Sequence, residues 1–223
     1  MAPSVGEYTS GRKMAKQYTL IVEETNVALL NRVTIEQQVA ILAEIGVTVN
    51  EGVTIDDLIV SENRDELELQ PYARLVEALG SEIEREPFTP KCNRLWMCDY
   101  ERIEDHGDYE AVLERLELMT DCALGLRDIK DYVDVIEDDE AWVEFTYRGR
   151  TIHWDAEVDN DWLDPYIIVK YDELLKESRS LFRIYSNHTD YGQIAFLAAF
   201  TPEQKARFDE ICKIKLILIE EQA

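Results

Sequence analysis

Basic residues are scarce in this 223-residue chain: 23 lysines and arginines stand against 47 aspartates and glutamates, a formal net charge of −24. With no basic stripe to displace counterions, direct binding to a nucleic-acid backbone is not expected. Long apolar runs are absent as well. The longest, Ile194 to Phe200, falls far short of the roughly 20 residues that a membrane-spanning helix needs. No charged-then-apolar leader opens the chain, so a soluble cytoplasmic protein is expected, with no membrane partner. Four cysteines, at 92, 98, 122 and 212, make no CxxC pair, which points to reduced thiols, with Cys212 packed in a helix. The three histidines lack HExxH or paired spacing. GxSxG, GxxxxGK[ST] and GxGxxG are all missing, and neither a cofactor nor a metal is expected.

Hydrophobic residues still make up 46% of the chain, enough for a globular core. Such an acidic surface favours solubility and fast encounter with a basic protein.

The most informative stretch is Ala141 to Pro165, AWVEFTYRGRTIHWDAEVDNDWLDP. Two alternating runs flank Arg148-Gly149, a spacing that predicts a tight β-hairpin. Closure by a two-residue turn sets Tyr147 against Arg150, Phe145 against Ile152, Glu144 against His153 and Val143 against Trp154. Val143, Phe145, Tyr147, Ile152 and Trp154 then share the core face. The other face carries Trp142, Glu144, Thr146, Thr151, His153 and Asp155.

Before the hairpin, residues 1–16 read as a mobile leader, with Met14 a candidate start, and Tyr18 to Val22 as a short strand. Thr34 and Gln37 make a capping-box pair for a helix facing inward through Ile35, Val39, Leu42 and Ile45 and ending at Gly46. Val47 to Val53 is expected to be extended, and Thr54 to Val60 and Pro71 to Ile83 to be helices. The two prolines in Glu86 to Pro90 mark a boundary between a mainly helical half, 17–90, and an α+β half, 91–223. Cys92 to Tyr100 is a strand or tight loop. A helix capped by Asp108 buries Tyr109, Val112, Leu113, Leu116 and Met119. Leu126 to Val135 is helix or strand, and Glu137 to Glu140 an acidic turn.

After the hairpin, Asp164 caps a helix with Pro165 in its first turn. Ile167 to Val169 leaves a strand open there, while Tyr171 to Ser178 is helical. Leu181 to Tyr185 and Gly192 to Ala199 are strands joined by a link through residues 186–190, and the apolarity of the run ending at Phe200 places it centrally in the sheet. Thr201, Pro202 and Gln204 open a last helix that buries Phe208, Ile211 and Cys212. The expected fold is α+β: a helical half, then one antiparallel sheet of ββαββα order with helices on one face.

Three constellations carry candidate chemistry. Asp155, Glu157, Asp159 and Asp161 alternate like an EF-hand loop, but Asn160 and Tyr166 occupy the positions that need glycine and glutamate, so calcium is rejected. His153 between Glu144 and Asp155 suits a hydrolase base with its orienter, or else a surface ion pair; no nucleophile accompanies it, which favours the pair. Between Lys130 and Asp164, twelve acids face three bases, with Trp142 and Trp162 among them. Aromatic anchors ringed by carboxylates suit an interface to a basic protein. The candidate partner-binding set is Trp142, Glu144, His153, Asp155, Glu157, Asp159, Asp161, Trp162 and Asp164.

The segments YERIEDHGDY (100–109), GRTIHWD within the hairpin, the loop DNDWLDP and YGQIAFLAAFTPEQ (191–204) resemble a family of acidic bacterial proteins over roughly residues 20 to 215. Such proteins are similar to immunity proteins that neutralise polymorphic or contact-delivered toxins. The resemblance implies a protein that binds one cognate, basic toxin and occludes its active site; it brings no catalytic motif. Two other readings stay open: an acidic decoy of nucleic-acid-binding proteins, and a hydrolase using His153 with Glu144 or Asp155.

Overall fold

A computed structural model describes residues 32–59, 63–135, 140–187 and 192–221. The expected leader at 1–16, the strand at 18–22, residues 137–139 of the acidic turn and 188–190 of the later link lie outside the described residues.

The first described residues form short helices held by polar staples. α1 (Ile35–Ala43) starts at the expected capping box, Thr34 with Gln37. Thr54 to Val60 yields only a 3-10 turn, Asp56–Leu58, because the Asp57 carboxylate turns back to accept from the Thr54 N–H and hydroxyl, both at 2.7 Å. α2 (Arg64–Leu69) is capped by Asn63. α3 (Ala73–Gly80) is shorter than the expected Pro71 to Ile83: Tyr72 has φ 72°, which no helix contains. Buried Gln38 ties the three helices together. Its side-chain amide donates to the Val33 and Leu67 carbonyls, and its side-chain oxygen accepts from the Tyr72 N–H. Gly80 is required by close packing, since a Cβ there would meet Met97 Cγ at 3.0 Å.

Beyond the proline segment the order is β1 (Leu95–Asp99), α4 (Asp108–Met119), β2 (Arg127–Asp134), β3 (Glu140–Tyr147), β4 (Arg150–Ala156), α5 (Pro165–Ser178), β5 (Arg183–Asn187), β6 (Ile194–Phe200), α6 (Pro202–Cys212) and β7 (Ile217–Leu218). The protein is α+β, and among the described residues the pairing is antiparallel and the strands divide between two sheets, β1-β6-β5-β7 and β2-β3-β4. This corrects the single ββαββα sheet. The cause is non-local: β6 takes β1, about a hundred residues upstream, as one neighbour (Leu95↔Ala198), while the hairpin takes β2.

Side-chain alternation explains the layering. On β6, Leu197 and Ala199 enter one core with Trp96, Cys98, Ile184, α4 and α5. Phe196, Ala198 and Phe200 enter another with Leu95, the first helices and Phe208 of α6. Helices therefore cover both faces of the four-stranded sheet, not one, and the three-stranded sheet closes the far side of α4 and α5. β6 is central, as its unbroken apolarity predicts. The run Ile167 to Val169 is helical, part of α5. Cys92, Cys98, Cys122 and Cys212 are free thiols; burial pushes Cys98 and Cys212 up to about 12.

Candidate functional site

The hairpin has the predicted register: Tyr147↔Arg150, Phe145↔Ile152, Glu144↔His153, Val143↔Trp154. Arg148 (φ 50°) and Gly149 (φ 74°) both take the left-handed conformation that a two-residue turn of matching twist demands. Val143, Phe145 and Tyr147 are buried, and Phe145 meets Trp154 edge-on at 4.7 Å between ring centres. That packing leaves the opposite face turned outward.

β2 widens that outer face. Tyr132 pairs with Trp142 and Lys130 with Glu144. Four aromatic rings then cross the sheet in a row. His106, from the loop before α4, lies 5.0 Å from Tyr132; Tyr132 stacks on Trp142 at 6.0 Å and 14°; Trp142 lies 5.1 Å from His153. Register places Asp134, Glu140, Glu144 and Asp155 on the same face, with Lys130 as their basic neighbour. Lys130 Nζ reaches Glu144 at 2.6 Å, and this bond, more than the nearby imidazole, holds the Glu144 carboxyl below its ordinary value.

His153 sits between its two predicted carboxylates. Nε2 is 3.2 Å from Asp155 and Nδ1 is 3.7 Å from Glu144. Its ring is 44% exposed and the Asp155 side chain 93%. The imidazole contacts two carboxylates and the Trp142 ring. The geometry is that of a surface hydrogen bond from a ring stacked on its neighbour.

The acidic loop is a separate neighbourhood. Glu157 and Asp159 are exposed, whereas Asp161 and Trp162 are half-buried against residues 101–103. The Asp161 carbonyl accepts from the Arg102 and Ile103 N–H groups. Asp164 is buried and structural: one carboxylate oxygen accepts from Tyr166 N–H, capping α5, and the other from Glu157 N–H. Of the nine predicted residues, Trp142, Glu144, His153 and Asp155 converge on one face, and the other five belong to the loop beside it.

Sequence reasoning missed Tyr132, Lys130 and His106. The available signal was the alternation of Ile129, Asp131 and Val133 with Lys130, Tyr132 and Asp134. It also missed why His106 is held there. The Asp131 carboxylate accepts from the N–H groups of Gly107 (2.6 Å), Tyr109 (2.8 Å) and Glu110 (3.1 Å), capping α4 from the neighbouring strand. This corrects the expected cap: Asp108 is the first helical residue, behind Gly107, and its carboxylate accepts from Glu104 and Asp105 N–H groups. The imidazole Nδ1 of His106 accepts from Val133 N–H at 3.0 Å, completing the clasp.

Among the described residues no group of three His, Cys, Asp or Glu side chains is arranged to hold a metal ion, and no helix is long and apolar enough to cross a membrane. No protein family, curated protein or solved structure matches this chain.

Proposed function

We propose that this protein is a cytoplasmic immunity protein that binds one basic toxin through the outer face of the three-stranded sheet and occludes the toxin's active site. The observation that carries the reading is the row Tyr132, Trp142 and His153 set among Asp134, Glu140, Glu144 and Asp155. Stacked aromatics present rigid apolar area at low entropic cost, and the carboxylates around them steer a cationic partner and reject an anionic one. The sheet is already ordered by its buried face, so little is lost in organising the surface on binding. The resemblance in segments 100–109 and 141–165 points the same way, because His106 and the hairpin both contribute to this face.

The test is a binding titration with a basic effector encoded beside this gene. Trp142→Ala combined with Glu144→Lys and Asp155→Lys is expected to weaken binding at least about a hundredfold, as loss of a central anchor and its steering charges does. Reversal of Glu157, Asp159 and Asp161 to Lys is expected to act mainly on the association rate. Unchanged affinity after the outer-face changes sinks the surface assignment. The net charge of −24 also suits a decoy of nucleic-acid-binding proteins. That reading requires comparable, salt-sensitive binding to many basic proteins instead of one tight partner.

A further inference from the structure

His106 stands at the edge of the three-stranded sheet, where its imidazole takes up a backbone donor. Among the described residues β2 is an outer strand of that sheet, and its Val133 N–H donates to His106 Nδ1 at 3.0 Å. Such edge amides otherwise turn to water or to a second chain. A ring nitrogen accepts only while it carries no proton, so this bond requires the neutral imidazole with its hydrogen on Nε2. The same ring lies 5.0 Å from Tyr132 and begins the aromatic row. The histidine side chain is 56% exposed, so solvent protons reach it.

Carboxylates come from each element beside the ring. On its own loop, Asp105 Oδ1 lies 3.9 Å from Nδ1 and accepts from the His106 N–H at 2.7 Å, with Glu104 one residue before it. On α4, the Asp108 carboxylate is turned to the Glu104 and Asp105 N–H groups. That helix begins two residues after His106, and its positive end opposes an imidazolium. On β2, Asp131 is occupied by the N–H groups of Gly107, Tyr109 and Glu110, and Asp134 follows Val133 on the Tyr132 face. Asp105 is thus the carboxylate placed to receive a proton-bearing Nδ1.

We propose that His106 is a proton-operated latch. Neutral, it holds the loop before α4 against β2 through Val133; protonated, its Nδ1–H turns to the Asp105 carboxylate and the ring leaves the row. Protonation sets a donor against a donor, which removes the Val133 bond, while Asp105 offers the new N–H a charged acceptor. Histidine changes charge between about pH 5 and 8, above the usual carboxylate range, so the three bonds of Asp131 at the start of α4 are expected to persist. The latch frees one amide and one ring without melting the helix. In mild acid the outer face then presents three rings in place of four. The proposal stands on the loop geometry and does not require that this face bind a toxin.

The experiment is an NMR titration of the full chain from about pH 8 to 5, following the His106 ring and the Val133, Gly107 and Tyr109 amides. The Val133 amide proton is expected to move upfield with the midpoint of the His106 ring. Its protection against hydrogen exchange should fall at least about fivefold between the two plateaus, as loss of one hydrogen bond implies. Gly107 and Tyr109 should keep theirs. His106→Phe retains a ring beside Tyr132 without Nδ1, and should leave the Val133 amide at its acid position throughout. Asp105→Asn alters a side chain that is 88% exposed and keeps the oxygen facing the His106 N–H. It should move the midpoint down by roughly 0.2–0.7 of a pH unit, the worth of one exposed ion pair, and it carries the test if His106→Phe fails to fold. A Val133 amide unmoved while the His106 ring titrates overturns the proposal. So do a Val133 titration that survives His106→Phe, a midpoint unchanged or raised by Asp105→Asn, and Gly107 and Tyr109 losing protection together with Val133.

Discussion

The two sheets are both antiparallel, yet they differ in what each side chain is asked to do. In β6, Ile194–Phe200, every residue from Phe196 to Phe200 is buried, because one core lies on each side. In β3, Glu140–Tyr147, buried and half-exposed positions alternate strictly from Ala141 to Tyr147, because only one side is covered. The four-stranded sheet has no face left for a partner over its central strand. The three-stranded sheet keeps one face in water, and that face collects the aromatic row and the carboxylates. A sheet covered on one side separates the residues that hold it from those free to serve function, and substitutions should expose that separation.

The largest effect is expected where both faces are buried. Phe200→Ala removes a ring that packs 5.0 Å from Phe208, and should cost about 3–5 kcal/mol, a fall in Tm of roughly 10 °C. In β3 the cost should depend on parity. Phe145→Ala, on the buried face, is expected to lose about 3–5 kcal/mol by urea denaturation, whereas Trp142→Ala, three residues away on the outer face, should lose about 1 kcal/mol. Equal losses at Phe145 and Trp142 would break the comparison, since the outer ladder would then be part of the structural core.

Asp131 tests what joins the open sheet to the helical layer beneath it. Asp131→Ala removes the acceptor for three N–H groups at the start of α4, and an expected cost is about 1–2 kcal/mol. Hydrogen exchange at Gly107, Tyr109 and Glu110 should accelerate, while the amides of β6 keep their protection. Loss of protection in both sheets together would show that the clasp supports the whole molecule and not its open layer alone.

How much of this was legible in the sequence follows the range of the interactions. The hairpin register was readable from Arg148-Gly149, because a two-residue turn leaves no freedom to slip. The capping boxes at Thr34 and Thr201 were readable because donor and acceptor are three residues apart. The division into two sheets was not: the partner of β1 is β6, and nothing near Leu95 encodes Ala198. Two features of the candidate site were hidden for the same reason. Asp131 caps a helix that begins more than twenty residues earlier in the chain, and Tyr132 joins Trp142 only once β2 is the third strand. Asp164 was readable as a cap and also appeared among the partner-binding residues. The second role competes with the first, since both its oxygens are already bonded to backbone N–H groups.

The smallest effect is expected on the open face itself, where solvent screens charge. Glu144 is held below its ordinary carboxylate value of 4.5 chiefly by Lys130, so its ionised form is favoured more in the folded chain than in the unfolded one. The pair's contribution is therefore fully present above that value and is lost as pH falls through the lower folded one. Lys130→Met should raise the Glu144 carboxyl in a carbon-detected NMR titration and leave stability in strong acid unchanged relative to the unmodified protein. Raising the salt concentration should shrink the difference, because Lys130 is 62% exposed. A Glu144 titration indifferent to both Lys130→Met and salt would mean that the lysine does not engage the carboxylate in solution, and the outer face would then present one more negative charge without its lysine.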